Sequence, residues 1–444
     1  MTISKKKQTD ISTLLKSNKL LKIAIYLMIF SFFYNLPIIG YSLKGDNELR
    51  IYDFVGIYIL GLYFKNKTEL DKYIYKIFYY RYFHQFILWC TLTILFTLLF
   101  SVFMDRVLWF VQSVLYLYHF WVFYLTTVFL SILITDLKFL KNIVSFILFV
   151  SIISFVIVIL QNINVVPFLW SDKYLISYHG FLSGTFGPNK IVVGISALFI
   201  FVFSLGLIND ERVSINTILL IGAIATSLLT IGLSGSRTTY VGVLVFMVYY
   251  ALRNTSKFFI SMVLLVIILV SVSFYNSSII DRISETFEKR IENKIRNPKV
   301  LREGNVNELY EDLGSGRKGL SLEYINYLLE KPYIIPFGIG FNNRLIIGFS
   351  AHNIYLSLIN EVGLVGFFFY FRWLFSILLL KLKPFTQLEH ALRGIVLAMI
   401  VTLFFGEHLY VYRPLFGLFG LFFSIITLLS SPVFCYIAEK KYEK

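Results

Sequence analysis

Residues 142–160 read Asn-Ile-Val-Ser-Phe-Ile-Leu-Phe-Val-Ser-Ile-Ile-Ser-Phe-Val-Ile-Val-Ile-Leu, without one charged side chain. At about 1.5 Å per helical residue, such a run crosses roughly 30 Å of bilayer hydrocarbon. Comparable apolar runs recur on both sides, near 23–42, 51–64, 84–104, 107–135, 191–208, 215–233, 239–252, 258–275, 352–380, 391–408 and 414–434. The second and eighth are short beside long neighbours, which implies tilt or shifted boundaries. These runs predict an all-α, polytopic transmembrane helix bundle of about 12 spans with one large extracytoplasmic loop.

Composition agrees. Apolar residues make up 57% of the 444 and charged residues 15%, with a mean hydropathy of +0.73. A soluble chain of this length needs far more charge to cover its surface. The formal net charge of +15 sits mostly in loops flanking the apolar runs, where it sets topology and does not suggest a nucleic-acid partner. Cys90 and Cys435 lie far apart in apolar segments, so they read as inert packing residues and not as a disulfide or metal site. The basic start, Lys5 through Lys22, is not followed by a short apolar core with a small-residue cleavage site, so no removable signal peptide is expected.

Lysine and arginine orient the bundle. With a cytoplasmic N-terminus, the short inner loops hold Lys65, Lys67, Lys72, Lys76, Arg81, Lys138, Lys141, Arg212, Arg253, Lys257, Lys381 and Lys383. The short outer loops hold only Lys44, Arg50, Arg106, Lys173, Lys190, Arg237 and Arg413. This bias places both termini on the cytoplasmic side of the membrane. The chain then divides into a tail at 1–22, nine spans over 23–275, a large outer loop at 276–351, three spans over 352–434 and a tail at 435–444. In the loop, Ile280, Ile283, Phe287, Ile291 and Ile295 recur at helical spacing among charged residues, closing before Pro298. That amphipathic helix either packs on the bundle or lies on the outer membrane surface. A second helix near 317–330 ends at Pro332, and Phe337-Gly338-Ile339-Gly340 forms a tight connection back to the membrane.

Charged groups at or within apolar spans are costly, so each is a functional candidate. Four blocks on the outer side qualify. Gly184-Thr185-Phe186-Gly187-Pro188-Asn189-Lys190 is a turn before a helix, whose free N–H groups suit an anion, with Lys190 adding charge. A plain turn explains the same residues. Ser234-Gly235-Ser236-Arg237-Thr238-Thr239-Tyr240-Val241-Gly242 sets one arginine among small hydroxyl residues. Its planar fork fits a phosphate, although snorkelling to headgroups explains it equally. Gly314-Ser315-Gly316-Arg317-Lys318 offers a second fork, or a solvated basic turn. Ala351-His352-Asn353-Ile354-Tyr355-Leu356 opens a long apolar run that continues to Glu361-Val362-Gly363-Leu364-Val365-Gly366. His352 can take a proton near neutral pH or serve as a packed structural histidine. Glu361, about two and a half turns deeper, reads as facing a polar interior and not lipid.

Taken in order, these blocks resemble the O-antigen ligase family, which also holds capsule and O-antigen repeat-unit polymerases. The likeness covers about 180–370, and the histidine block with its preceding loop is its most specific part. It implies a metal-independent, inverting glycosyltransferase without cofactor, using an undecaprenyl-pyrophosphate-linked glycan donor on the extracytoplasmic face. Carried over, Arg237 and Arg317 would clamp the donor pyrophosphate and His352 would position or deprotonate the acceptor hydroxyl. Lys190 is grouped with the arginines on charge and departs from the family's pattern. Asn189, Ser236, Asn353, Tyr355 and Glu361 are supporting candidates.

Two activities within the family differ in acceptor: a polymerase uses the sugar of another lipid-linked repeat unit, and a ligase uses lipid A–core. Polymerase is the favoured expectation, since no ligase-specific feature is visible. A lipid or polysaccharide transporter is the reading from another class. It should show internal pseudo-symmetry and broken helices in both halves, and none is visible in the sequence.

Overall fold

The computed structural model describes residues 15, 18–39, 49–134, 137–170, 183–187, 189–208, 210, 213–253, 317–344, 348, 350–379, 387–410 and 413–429, with positions 259, 263, 280–281, 283–285 and 288 between. The described elements are helical: α1 (Lys19–Phe33), α2 (Ile51–Lys65), α3 (Lys67–Lys76), α4 (Phe78–Phe103), α5 (Val107–Leu133), α6 (Leu137–Asn162), α7 (Lys190–Leu207), α8 (Thr217–Ser234), α9 (Arg237–Arg253), α10 (Arg317–Glu330), α11 (Ile354–Leu378), α12 (Gln387–Thr402) and α13 (Arg413–Leu429). Among the described residues, seven helices are long and apolar enough to cross a membrane: α4 to α8, α11 and α12 with its 3₁₀ extension to Phe405. Helices α1, α2, α9 and α13 are apolar but fall below that length. The expected span at 258–275 lies outside the described residues apart from Phe259 and Val263.

Helix α7 is the axis of the bundle. Every residue from Ile191 to Leu207 is buried, because α8, α9, α12 and α13 all pack on it. A helix enclosed on all sides has no need of a polar face, and its sequence has none. Its neighbours approach closely at small residues, as expected where lipid supplies little hydrophobic drive between helices. A side chain at Gly194 would collide with Ser234 and Thr239, and one at Gly242 would meet Leu198 and Thr402. A second group forms where α11 packs on α4, α4 on α5, and α5 on α13.

Two expected spans end early. The run at 23–42 stops being helical at Phe33, where Asn35 N–H turns to the Thr185 carbonyl at 2.8 Å and Pro37 follows. The run at 391–408 is helical only to Thr402, passes through a 3₁₀ turn at Leu403–Phe405 and then opens into an irregular segment.

The largest departure lies inside α11, read from sequence as one continuous helix. Gly363 has φ +69° and ψ −176°, which breaks it. The segment 335–340 supplies the missing partners. Ile339 and Gly340 donate to the Asn360 and Glu361 carbonyls, each at 2.8 Å, and Leu364 donates to the Ile335 carbonyl at 2.8 Å. Trp89 Nε1 takes the Val362 carbonyl at 2.8 Å. Thr97 Oγ1 caps the Phe341 carbonyl at 2.7 Å, and Trp109 Nε1 that of Asn342 at 2.9 Å. Irregular backbone among transmembrane helices persists only where it is satisfied in this way. Helix α10 lies over this segment, as the expected helix near 317–330. Of the expected amphipathic helix, Ile280, Asp281, Ile283, Ser284 and Glu285 are described and helical, and Ile283 packs against Gly232.

Candidate active site

Three of the sequence blocks end as helix N-caps. Asn189 Oδ1 accepts from Ile191 N–H at 2.9 Å and opens α7. Ser236 Oγ accepts from Thr239 N–H at 3.3 Å and opens α9. Asn353 Oδ1 accepts from Tyr355 N–H at 2.9 Å and Leu356 N–H at 3.4 Å and opens α11. Each cap stands beside a basic or titratable residue: Lys190 and Arg237 are the first residues of α7 and α9, and His352 precedes Asn353. Helix N-termini carry positive dipole ends, so this placement favours anions.

The blocks are held at one end of the bundle by contacts between their helices. The 183–187 turn is fastened by Thr185 Oγ1 to the Phe33 carbonyl at 2.7 Å and by Gly184 N–H to Gln161 Oε1 at 2.8 Å. One turn into α7, Gly194 meets Ser234 and Thr239 of the second block, and Gly242 meets Thr402 of α12. The Tyr355 hydroxyl donates to the Ile400 carbonyl at 2.6 Å, two residues from Thr402. Tyr355 thus ties the fourth block to the same helix ends by packing, with its ring stacked on Phe371 and Phe404.

His352 is exposed and has φ +50°. A non-glycine residue in this left-handed region is uncommon, though histidine tolerates it better than most, and strain there costs about 1–3 kcal/mol. Its N–H donates to Ser350 Oγ at 3.2 Å. Arg317 begins α10, while Gly314, Ser315 and Gly316 lie outside the described residues. Two turns along α10, Tyr324 is buried and hydrogen-bonded by the backbone of Ala351, next to His352. Burial pushes its phenol well above the usual tyrosine range, and the Glu361 carboxylate adds to that.

Glu361 does face a polar interior. Arg344 Nε donates to its Oε1 at 3.1 Å, Asn342 N–H to Oε2 at 2.9 Å, and the Tyr410 hydroxyl to Oε2 at 2.5 Å. The Arg344 fork also reaches Glu407, Nη2 to Oε2 at 2.9 Å, and Ser357 Oγ donates to the other Glu407 oxygen. The side chains are 13% exposed for Arg344, 1% for Glu361 and 2% for Glu407. Sequence reading missed Arg344, Glu407 and Tyr410. Glu407 carried a usable signal, an acid in an apolar run. Arg344 carried none, because a basic residue in a long loop is ordinarily solvated.

Together these features define a multi-pass helical membrane protein with a cationic, helix-capped cluster at one end and a re-entrant segment locked beneath it. Residues 222–371 match the family model of O-antigen ligase. Enzymes of this family are glycosyltransferase-type and act on lipid-linked glycans. The match includes Arg237, Arg317, Arg344, His352 and Glu361, and ends before Glu407. No curated protein sequence matches the chain.

Proposed function

We propose that this chain is a bacterial polysaccharide repeat-unit polymerase. It transfers glycan from undecaprenyl pyrophosphate to the sugar of another lipid-linked repeat unit, on the extracytoplasmic face of the plasma membrane. The observation that supports this reading best is the gathering of three capped helix N-termini, with Lys190, Arg237 and His352, at one end of the bundle.

In this reading the acceptor hydroxyl oxygen attacks the anomeric carbon of the donor sugar while the bond to the pyrophosphate oxygen breaks. Direct displacement inverts the configuration. The hydroxyl proton passes to the His352 imidazole, and undecaprenyl pyrophosphate departs with the bonding electrons. Negative charge grows on the leaving group, so Arg237, Arg317 and Lys190 stabilise the transition state more than the ground state. These fixed cations fill the role that a divalent metal plays elsewhere. Asn189, Ser236 and Asn353 act by fixing the helix ends. Glu361 acts through Arg344, holding the segment that leads to His352.

The test is transfer by the purified protein from undecaprenyl-pyrophosphate-linked repeat units, with lipid A–core offered in parallel and with chelator present. A ladder of polymer is the expected product, and transfer to lipid A–core alone would make the chain a ligase. His352→Asn keeps a residue that tolerates left-handed backbone but lacks the imidazole. It should lower the rate roughly a hundred- to ten-thousand-fold with unchanged elution on size exclusion. A native rate would make His352 structural.

A further inference from the structure

The end of the bundle away from the capped helix starts carries a second cationic cluster. Arg81 stands in the first turn of α4 and Arg372 near the C-terminal end of α11, the helix packed on it. Both guanidinium groups converge on one phenol. Arg372 Nη2 donates to the Tyr82 hydroxyl at 3.1 Å, and Arg81 Nη2 to the same oxygen at 3.5 Å. Arg372 also lies over the Tyr82 ring, 4.0 Å from its centroid, and 5.9 Å from that of Phe368. Arg81 is 5.2 Å from the Tyr82 centroid. Ring faces attract cations, but they do not neutralise them. Among the described residues, no carboxylate forms an ion pair with either arginine. Two like charges drawn to one oxygen repel each other, and an anion bridging them relieves that repulsion.

The surroundings say which anion fits. From Arg81 toward the opposite end of the bundle, α4 presents Leu88, Leu92 and Leu95, all exposed. From Arg372 in the same direction, α11 presents exposed Phe368 and Leu364. The two apolar strips start at the arginines and run along adjacent helices. Preceding α4, the short helix α3 buries Leu70 and Ile74 and exposes Lys67, Lys72 and Lys76, the pattern of a helix lying in a membrane interface. A phosphate head with acyl chains satisfies both features, whereas free phosphate leaves the strips unused. A choline or ethanolamine headgroup brings its own cation, so a net negative headgroup fits better.

We propose that Arg81, Arg372 and Tyr82 bind the phosphate of an anionic phospholipid whose acyl chains lie along Leu88, Leu92 and Leu95 of α4 and Leu364 and Phe368 of α11. The phosphate-binding residues Arg81, Tyr82 and Arg372 lie outside the four sequence blocks, and the site does not depend on the polymerase reading.

The test is lipid retention by the full-length protein in detergent, read by native mass spectrometry with phosphatidylglycerol or phosphatidylcholine added. The native protein should retain phosphatidylglycerol in preference. Arg81→Gln and Arg372→Gln should each weaken that retention about fivefold, corresponding to about 1 kcal/mol per basic residue at an anionic surface, and leave phosphatidylcholine retention unchanged. Inorganic phosphate at matched ionic strength should not displace the lipid. Equal retention of both lipids, or undiminished phosphatidylglycerol on the double variant, overturns the proposal. Displacement by inorganic phosphate overturns it too and leaves a simple anion site. Should a variant fail to fold, the native protein decides: phosphatidylglycerol must raise its unfolding temperature more than phosphatidylcholine does.

Discussion

Arg344 and Glu361 meet beside the break in α11, Nε 3.1 Å from Oε1, with the same guanidinium reaching Glu407 on its other side. One fork thereby joins the re-entrant segment, the broken helix and the irregular stretch after α12. Two carboxylates share one cation here, and Tyr410, Ser357 and the Asn342 amide satisfy the remaining oxygens.

Removing the cation should therefore be costly. Arg344→Ala leaves two buried carboxylates without a counter-charge, a change that typically costs about 3–5 kcal/mol. Arg344→Lys keeps the charge but cannot present a planar fork to both acids, so it should fall between alanine and the native protein. Thermal unfolding in detergent checks the order. An alanine variant that melts with the native protein would show that the cluster contributes little to stability.

Gly363 should be irreplaceable where another helical glycine is not. It has φ +69°, and a Cβ there would run into the backbone of Pro336 and Phe337. Gly363→Ala should cost at least the roughly 1–3 kcal/mol of a strained backbone, and it should loosen the 335–340 insertion. Gly61 of α2 has nothing within 4 Å of its would-be Cβ. Gly61→Ala should be neutral or stabilising by about 0.4–1 kcal/mol. Equal unfolding temperatures for the two variants would contradict the break as described.

Hydropathy made most helices legible because charges bound the apolar runs. The run at 107–135 emerges as Val107–Leu133, lying between Asp105-Arg106 and Lys138. What stayed hidden depends on partners distant in the chain. No local feature shows that Asn35 will pair with Thr185, or that 335–340 will take the carbonyls inside α11. Gly363 lies in an apolar run that looks continuous, and only the inserted backbone gives its torsion a purpose. The blocks at 184–190, 234–242 and 351–366 were legible because turn glycines and caps are local. Their supporting residues Asn189, Ser236 and Asn353 prove to be those caps.

The orientation inferred from lysine and arginine has a direct check. If residues 276–351 face outward, a cysteine introduced as Ser315→Cys should react with a membrane-impermeant reagent on whole cells. Cys90 is buried, so it contributes little background. An active, well-expressed variant that stays unlabelled until the cells are opened would invert the topology.

The arginines of the second and third blocks separate catalysis from topology. Arg237 begins α9 and Arg317 begins α10, far apart in the sequence. Helix α9 is tied to the cluster through Gly242 and Thr402, and α10 through Tyr324 and the Ala351 backbone. If either arginine only snorkels or sits solvated, lysine preserves its charge and activity. If the two grip one pyrophosphate, lysine is a poor substitute, because a point charge on a flexible stem cannot make paired hydrogen bonds. Arg237→Lys and Arg317→Lys should therefore each slow glycan transfer strongly, though less than alanine. The double variant should lose less than the product of the two single losses, since both act on one ligand. The measurement is transfer from undecaprenyl-pyrophosphate-linked donor at matched membrane expression. Near-native transfer by both single variants would return these arginines to the membrane surface, and strictly multiplicative losses would place them on separate ligands.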